Sequence, residues 1–420
     1  MTYEGRWTTT GLALAVVLAG AGCDRGGTSS VAGLAATSAA PTVPLTLAVT
    51  PVTNAHGVPI SAEVTTKVAG GSVSSVTVVD GTGRPLAGTM RADGTSWVPS
   101  RPLEFGRTYT ATVVAAATDG RRETRRTTFT TAARRSVPEL GSGLYLFTGN
   151  TYGVAMPVVA EFVPGVPARD RAAVQRRLFV QSAPSQPGVW HWTASGAQAF
   201  YRPPAYWRPG TRIAVRLGLA GLRLSNGRQG TRDRSASITI GRPLSMLVDN
   251  RTKMMTVTRD GKVARRIPVS LGKRSTPSSS GTLVVMEKAT STIFDTRAEL
   301  GPAEGYRTRI SYAQRLTWGG EFIHSAPWSV GDQGRRNVSH GCVNIAPGHA
   351  AWLFRQTLIG DPVVVRGTET KITDGNGWTA WAMPWQEHIR SSALPVPEPL
   401  RSAGQTADVQ VAQRVVTSRL

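Results

Sequence analysis

The chain has 420 residues with a hydrophobic fraction of 40%, enough apolar content for globular cores and too much length for a single one, so two to four domains are expected. Gly 45 and Pro 27 are high counts, and with frequent Thr, Ser and Val they favour many short strands over long helices. A formal net charge of +22 implies an anionic partner or environment such as nucleic acid, acidic lipid or an acidic polymer. The plainer reading is scattered arginine that keeps the chain soluble.

In chain order, the first feature is an apolar run, LALAVVLAGAGC, at residues 12–23 after Arg6. It is too short to anchor stably across a bilayer and fits the hydrophobic part of a signal peptide. It closes on Gly20-Ala21-Gly22 before Cys23, which resembles a bacterial lipoprotein signal in which the cysteine is lipidated and becomes the first mature residue. The departures are Gly20, where Leu is usual, and Glu4, which dilutes the positive start. Simple secretion with cleavage nearby is the other reading. Residues 1–22 are thus expected to be a signal peptide, and the protein to leave the cytoplasm. No nucleic acid is then expected as a partner, and an envelope polymer or lipid headgroup takes its place.

Residues 23–44 are small and polar without strand or helix period, and read as a flexible linker. From 45 to 132 come short alternating strands (LTLAVTP, VSSVTVVD, YTATVVAAAT) with turns at Asp80-Gly81 and Asp93-Gly94, as in a small β-sandwich. A second module spans 136–242. The two look related. Trp97-Val98-Pro99 precedes Gly106 and an alternating strand, and Phe200-Tyr201-Arg202-Pro203 precedes Gly210 and another. Two such copies suggest tandem immunoglobulin-like domains. Residues 243–367 form a third, β-rich domain with turn signals at Asp249-Asn250 and Asp260-Gly261. Its one helix is expected over residues 347–360, from Pro347 to a closing Gly360. The extension 368–395 is expected to pack on the catalytic domain, its Trp378, Trp381 and Trp385 suggesting packing onto a surface more than ligand stacking. Residues 396–420 are expected to be a disordered tail.

Exported proteins usually spend cysteines on disulfides. Only two cysteines are present, and with Cys23 committed to lipid, Cys342 has no partner. It is then an inert core residue or a nucleophile, and a nucleophilic thiol needs a neighbouring base. Of the six histidines, His324, His340 and His349 cluster around it. His340, two residues away in an extended segment, points the same way, and His324 ends an apolar strand signal. Gly341 lets the backbone approach a substrate and leaves amides free as oxyanion donors. A zinc site from His324, His340, Cys342 and His349 competes, but lacks the paired spacing of structural zinc sites. No metal or other cofactor is expected.

The stretch HSAPWSVGDQGRRNVSHGCVN at residues 324–344, a His followed by fourteen residues and Ser-His-Gly-Cys, resembles the signature of L,D-transpeptidases with a YkuD-type catalytic domain. LGKRSTPSSSG, GYRTRISYAQRLTWGGEF and the tryptophan-containing tail extend the likeness to the mycobacterial-type multidomain lipoprotein members. The resemblance implies a mainly β protein: two immunoglobulin-like sandwiches, a YkuD-type domain with a packed helix, and a Trp-rich C-terminal extension. It implies an enzyme that forms 3→3 crosslinks in peptidoglycan. Cys342 attacks the diaminopimelate carbonyl of a tetrapeptide stem, D-Ala leaves, and an acceptor stem amine resolves the thioester. It gives His324 as base and Ser325 as the residue holding its ring through the main-chain carbonyl. The amides of His340, Gly341 and Cys342, with the Tyr306 hydroxyl, form the oxyanion hole, and Trp328, Ser339 and Asn344 line the pocket. It implies acylation by carbapenems, stem peptides as partners, and a lipoprotein on the outer face of the cytoplasmic membrane facing the wall. Hydrolysis as an L,D-carboxypeptidase, transfer to another amine, and a non-catalytic wall-binding protein are the alternatives. One departure falls in the lid, where Ile293 and Phe294 stand about where those members carry a Met.

Overall fold

The computed structural model describes residues 43–91, 94–134, 136–295, 297, 301 and 307–403. The expected signal peptide, Cys23, most of the linker, Tyr306 and the tail from 404 lie outside the described residues.

Two sheets make the first sandwich. One orders Thr46–Thr50, Val64–Ala69, Ser96–Pro99 and Gly88–Met90, and the other Ala55–Val58, Arg122–Thr131, Thr108–Ala116 and Ser72–Asp80. Strand alternation explains the core. In Thr108–Ala116 every second residue (Tyr109, Ala111, Val113, Ala115) is buried while its neighbours face outward. The second sandwich pairs a five-stranded sheet, whose centre is Val158–Val163, with a four-stranded sheet through Arg212–Leu217 and Arg234–Ile240. The repeated sequence pattern has a matching structure. Gly106 and Gly210 both adopt left-handed backbone before their strands, at φ +65° and +78°. In each sandwich a tyrosine hydroxyl (Tyr109, Tyr152) accepts from the amide five residues upstream, at 2.9 Å.

The third domain has two sheets. The six-stranded one orders Lys262–Pro268, Met254–Arg259, Leu244–Asp249, Pro362–Arg366, Ser279–Val284 and Thr370–Lys371. The hairpin of Met254–Arg259 and Lys262–Pro268 turns at Asp260-Gly261, both left-handed, as the sequence pattern requires. The four-stranded sheet orders Glu287–Asp295, Arg307–Arg315, Phe322–Ser325 and Val343–Ile345. The expected helix forms as Pro347–Gln356 and stops short of Gly360. Its end is fixed by Thr357, which turns extended and donates its hydroxyl to Gln314 Oε1 at 2.6 Å.

The C-terminal extension is a packed element. Trp378 and Trp385 are buried, and the Arg202 guanidinium lies over Trp381 and Trp385, donating to the carbonyls of Ala380 and Met383. The side chains of Trp381 and Trp385 thus pack on the second sandwich, through Arg202, Ala155 and Val189, and not, as expected, on the catalytic domain. The expected disorder from residue 396 does not hold for 396–403. Residues 398–403 are helical, Leu400 packs on Val189 and Trp385, and its carbonyl accepts from Trp385 Nε1 at 2.7 Å. Leu400, with Val396 packed against the same cluster, docks this segment.

Candidate active site

Two parallel strands carry the site. Phe322–Ser325 runs beside Val343–Ile345, with Ile323 opposite Val343 and His324 opposite Asn344. Parallel neighbours need a long crossover, which residues 326–342 supply. That requirement is the physical reason for the wide gap between His324 and the Ser-His-Gly-Cys motif.

Cys342 immediately precedes the second strand and is 3% exposed. Its Sγ lies 3.7 Å from the Gly320 carbonyl oxygen, packed among Phe294, Ile310, Ala313 and Phe322. Burial pushes the thiol up to about 12; the Phe322 amide opposes that shift, the Glu321 carboxylate adds to it, and Arg315 opposes it. At neutral pH Cys342 is therefore a neutral thiol.

His324 is equally buried. Its Nδ1 stands 2.8 Å from the Ser325 carbonyl oxygen. A carbonyl can only accept, so Nδ1 carries the proton and Nε2 keeps its lone pair. Burial lowers the imidazole pKa, while the Ser325 carbonyl and the Asn344 side chain pull it back up. The ring is therefore neutral at neutral pH and able to accept a proton. Asn344 is held by its Nδ2 donating to Ser329 Oγ at 3.2 Å. The Trp328 ring, 58% exposed, sits 5.9 Å from the His324 ring.

The segment before the thiol is tied down on several sides. Ser339 Oγ donates to the Cys342 carbonyl at 2.6 Å and accepts from the Gly341 amide at 3.2 Å. Ser278 Oγ accepts from the Gly272 amide and donates to the Gly341 carbonyl, at 2.9 and 2.7 Å. The Ser339 amide donates to the Leu271 carbonyl and the Lys273 amide to Ser339's own, at 3.0 and 2.8 Å. Gly341 has φ +116°, a conformation that excludes most side chains. Its amide donates to Ser339 Oγ. His340 is half-buried beside it.

Of the residues singled out from sequence, His324, Ser325, Trp328, Ser339, His340, Gly341, Cys342 and Asn344 fall on these two strands and the crossover. Tyr306 is outside the described residues. His349 sits on the helix Pro347–Gln356, where burial and the nearby Arg265 cation lower its pKa. A cation beside it is a poor neighbour for a metal ion. Sequence reading missed Ser278 and Glu321. Glu321 is held by Ser279, whose amide and hydroxyl donate to its carboxylate, the hydroxyl at 2.6 Å. The signal available for it was a lone acid opening the buried strand FIHS.

A buried thiol, a neutral imidazole with its tautomer fixed, and a glycine-led backbone lie on one parallel strand pair and are the residue types a cysteine–histidine site uses. Two family models match the chain: "L,D-transpeptidase catalytic domain" over residues 244–365 and "Bacterial Ig domain" over 55–223. L,D-transpeptidase 2 of Mycobacterium tuberculosis (strain CDC 1551 / Oshkosh) is 33% identical over 339 residues, 79% of this chain and 81% of that protein. L,D-transpeptidase 5 of Mycobacterium tuberculosis (strain ATCC 25618 / H37Rv) is 33% identical over 357 residues, 83% of this chain and 77% of that one. The solved structure of LD transpeptidase LdtMt1 in complex with imipenem is 35% identical, covering 55% of this chain and 100% of that chain, with a TM-score of 0.46. The chain belongs to the L,D-transpeptidase family and is an enzyme of that class.

Proposed function

We propose that this enzyme forms 3→3 peptidoglycan crosslinks through a thioester on Cys342. The observation that carries the reading is the Nδ1–H of His324 donating to the Ser325 carbonyl, because it leaves Nε2 free to take the thiol proton. In the first half-reaction Nε2 accepts that proton as Sγ attacks the diaminopimelate carbonyl of a donor tetrapeptide stem. The amides of His340, Gly341 and Cys342 are assigned to the oxyanion on the resemblance, Gly341's once Ser339 releases it. The carbon–nitrogen bond to D-Ala then breaks, and the imidazolium returns its proton to the leaving amine. In the second half-reaction an acceptor stem amine attacks the thioester, Nε2 takes the amine proton, and the Cys342 thiol is restored.

A thiol raised by burial and an imidazole lowered by burial favour two neutral groups over a resting thiolate–imidazolium pair. Proton transfer is then concerted with attack, and lid opening or substrate contact lowers the barrier. Trp328 and Asn344 line the donor side, and Tyr306 is assigned to the oxyanion site on the resemblance alone. The basic charge of +22 suits an anionic wall. We place the protein on the outer face of the cytoplasmic membrane, with Cys23 as its lipid anchor.

The test is intact-protein mass after brief incubation with a carbapenem, followed by a tetrapeptide-stem assay with product analysis. One drug adduct on the parent and none on Cys342→Ala is expected, together with crosslinked dimer from the stems. Full crosslinking by Cys342→Ala would sink the assignment. Free tripeptide in place of dimer would make the enzyme an L,D-carboxypeptidase.

A further inference from the structure

A cavity of about 900 Å³ lies between the two sandwiches, apart from every residue of the catalytic site. Its walls do not hinge freely. Gly221 of the second sandwich meets Ile60 of the first so closely that an added Cβ would stand 2.0 Å from Ile60 Cγ1. Arg216 donates to the Pro99 carbonyl at 2.6 Å, and Arg91 donates to the Arg176 carbonyl. A docked pair of sandwiches makes the cavity a standing feature.

The charges in that cavity do not balance. Arg91, Arg176, Arg177 and Glu63 line it. Glu63 is taken up by Arg91, which binds it through two nitrogens at 2.9 and 2.8 Å. Arg177 reaches Glu63 only at 4.0 Å, with its side chain 16% exposed. Burial and the neighbouring Arg91 and Arg176 work against its charge, and Glu63 and Asp233 offset that only in part. A guanidinium carries five donors in a fork that fits a carboxylate, and a largely buried one without such an acceptor is costly. Around it the walls are largely apolar, with Pro59, Leu222, Leu394 and Pro395 among them. An anion attached to small apolar groups fits such walls better than a bare, strongly hydrated one.

We propose that this inter-sandwich cavity binds a carboxylate of a short peptide, with Arg177 as its principal ligand and Arg176 at the rim. Taking that peptide to be a wall stem rests on the function proposed above; the carboxylate site itself does not. Such a site holds a strand of wall away from the thiol while Cys342 works on a stem elsewhere, raising the local concentration of substrate.

The test is calorimetric titration of the Cys342→Ala protein with a synthetic tetrapeptide stem, then with the same peptide amidated at its carboxylates. Arg177→Gln is expected to weaken one class of sites at least tenfold, Arg176→Gln about threefold, and amidation as much as Arg177→Gln. Thermal midpoints check folding, and Arg176, being exposed, gives a variant that cannot fail for structural reasons. Identical isotherms for the parent, Arg177→Gln and Arg176→Gln would overturn the proposal. So would inorganic phosphate displacing the peptide at equal concentration, which would make the site one for phosphate. Carbapenem acylation of otherwise native protein, run in parallel, is expected to be unchanged by Arg177→Gln. Its failure in the parent with Arg177-dependent binding intact would remove the functional reading and support the cavity site.

Discussion

Glu321 lies against Gly341: a Cβ placed on the glycine would stand 3.5 Å from Glu321 Cγ. A buried carboxylate is thus held one residue from the thiol, by hydrogen bonds from Ser279 that favour its ionised form although burial raises its pKa. Its negative charge contributes to raising the Cys342 thiol. Replacing it with a neutral isostere removes the repulsion that a thiolate feels. Glu321→Gln is expected to move the inflection of Cys342 alkylation by iodoacetamide downward by about one pH unit or less. An unmoved inflection would show that the acid is protonated and silent.

Phe294 covers the same thiol from the other side. It comes from the strand Glu287–Asp295, is 8% exposed, and meets Phe322 edge-on with centroids 5.6 Å apart. Its neighbour Ile293 points outward, 48% exposed. Of these two residues, Phe294 packs with the thiol and Ile293 faces solvent. Phe294→Ala is expected to raise the iodoacetamide rate severalfold at neutral pH, since part of the thiol's high pKa is desolvation. Ile293→Ala is expected to leave it within twofold. Equal effects from both would mean that Phe294 does not seal the site.

Ser278 fixes the backbone rather than any reacting atom. It is 1% exposed, accepts from Gly272 and donates to the Gly341 carbonyl. Ser278→Ala leaves that carbonyl without its acceptor role filled and frees the peptide leading into Cys342. Loss of roughly ten- to a hundredfold in acylation rate is expected, with KM changed far less. Ser278→Thr, which keeps the hydroxyl, is expected to recover part of it. Equal losses from Ala and Thr would point to packing instead.

The site's chemistry was readable in sequence because its residues are close along the chain. His324, Ser339, Gly341 and Cys342 fall within one crossover whose length the parallel strand pair dictates. The strands were readable from alternation, as at Tyr109, Ala111, Val113 and Ala115. Ser278 and Glu321 were not readable. Each acts by reaching a segment distant in sequence, and neither residue type in isolation announces a partner. The helix end at Gln356 was misjudged for the same reason, since Gln314 takes Thr357 out of the helix before Gly360 is reached. The docked turn at 398–403 depended on Val189, two hundred residues away in the chain.

Asp361 is the remaining group whose titration has a consequence. It is fully buried where the segment at Gly153 meets the catalytic domain, its backbone beside the Gly360 carbonyl that accepts from Ala155. Oδ2 accepts from the Leu358 amide at 2.7 Å and from Arg242 at 3.5 Å, while Oδ1 has no partner among the described residues. Burial raises its pKa from 3.8 to about 6, against the opposing pull of the Leu358 amide and Arg242. A carboxyl raised on folding binds its proton more tightly in the native state, so its contribution to stability is complete below pH 4 and is lost as pH rises through about 6. Asp361→Asn keeps an oxygen for Leu358 and has no charge to bury. At pH 7.5 it is expected to be more stable than the parent, by up to about 3 kcal/mol, the pull of Arg242 being already contained in that shift. The advantage should shrink across pH 6 to 4 and vanish below it. Urea unfolding of both proteins at pH 7.5, 6, 5 and 4 measures this. A variant less stable than the parent at pH 7.5 would mean that the ionised carboxylate and Arg242 form a net stabilising pair.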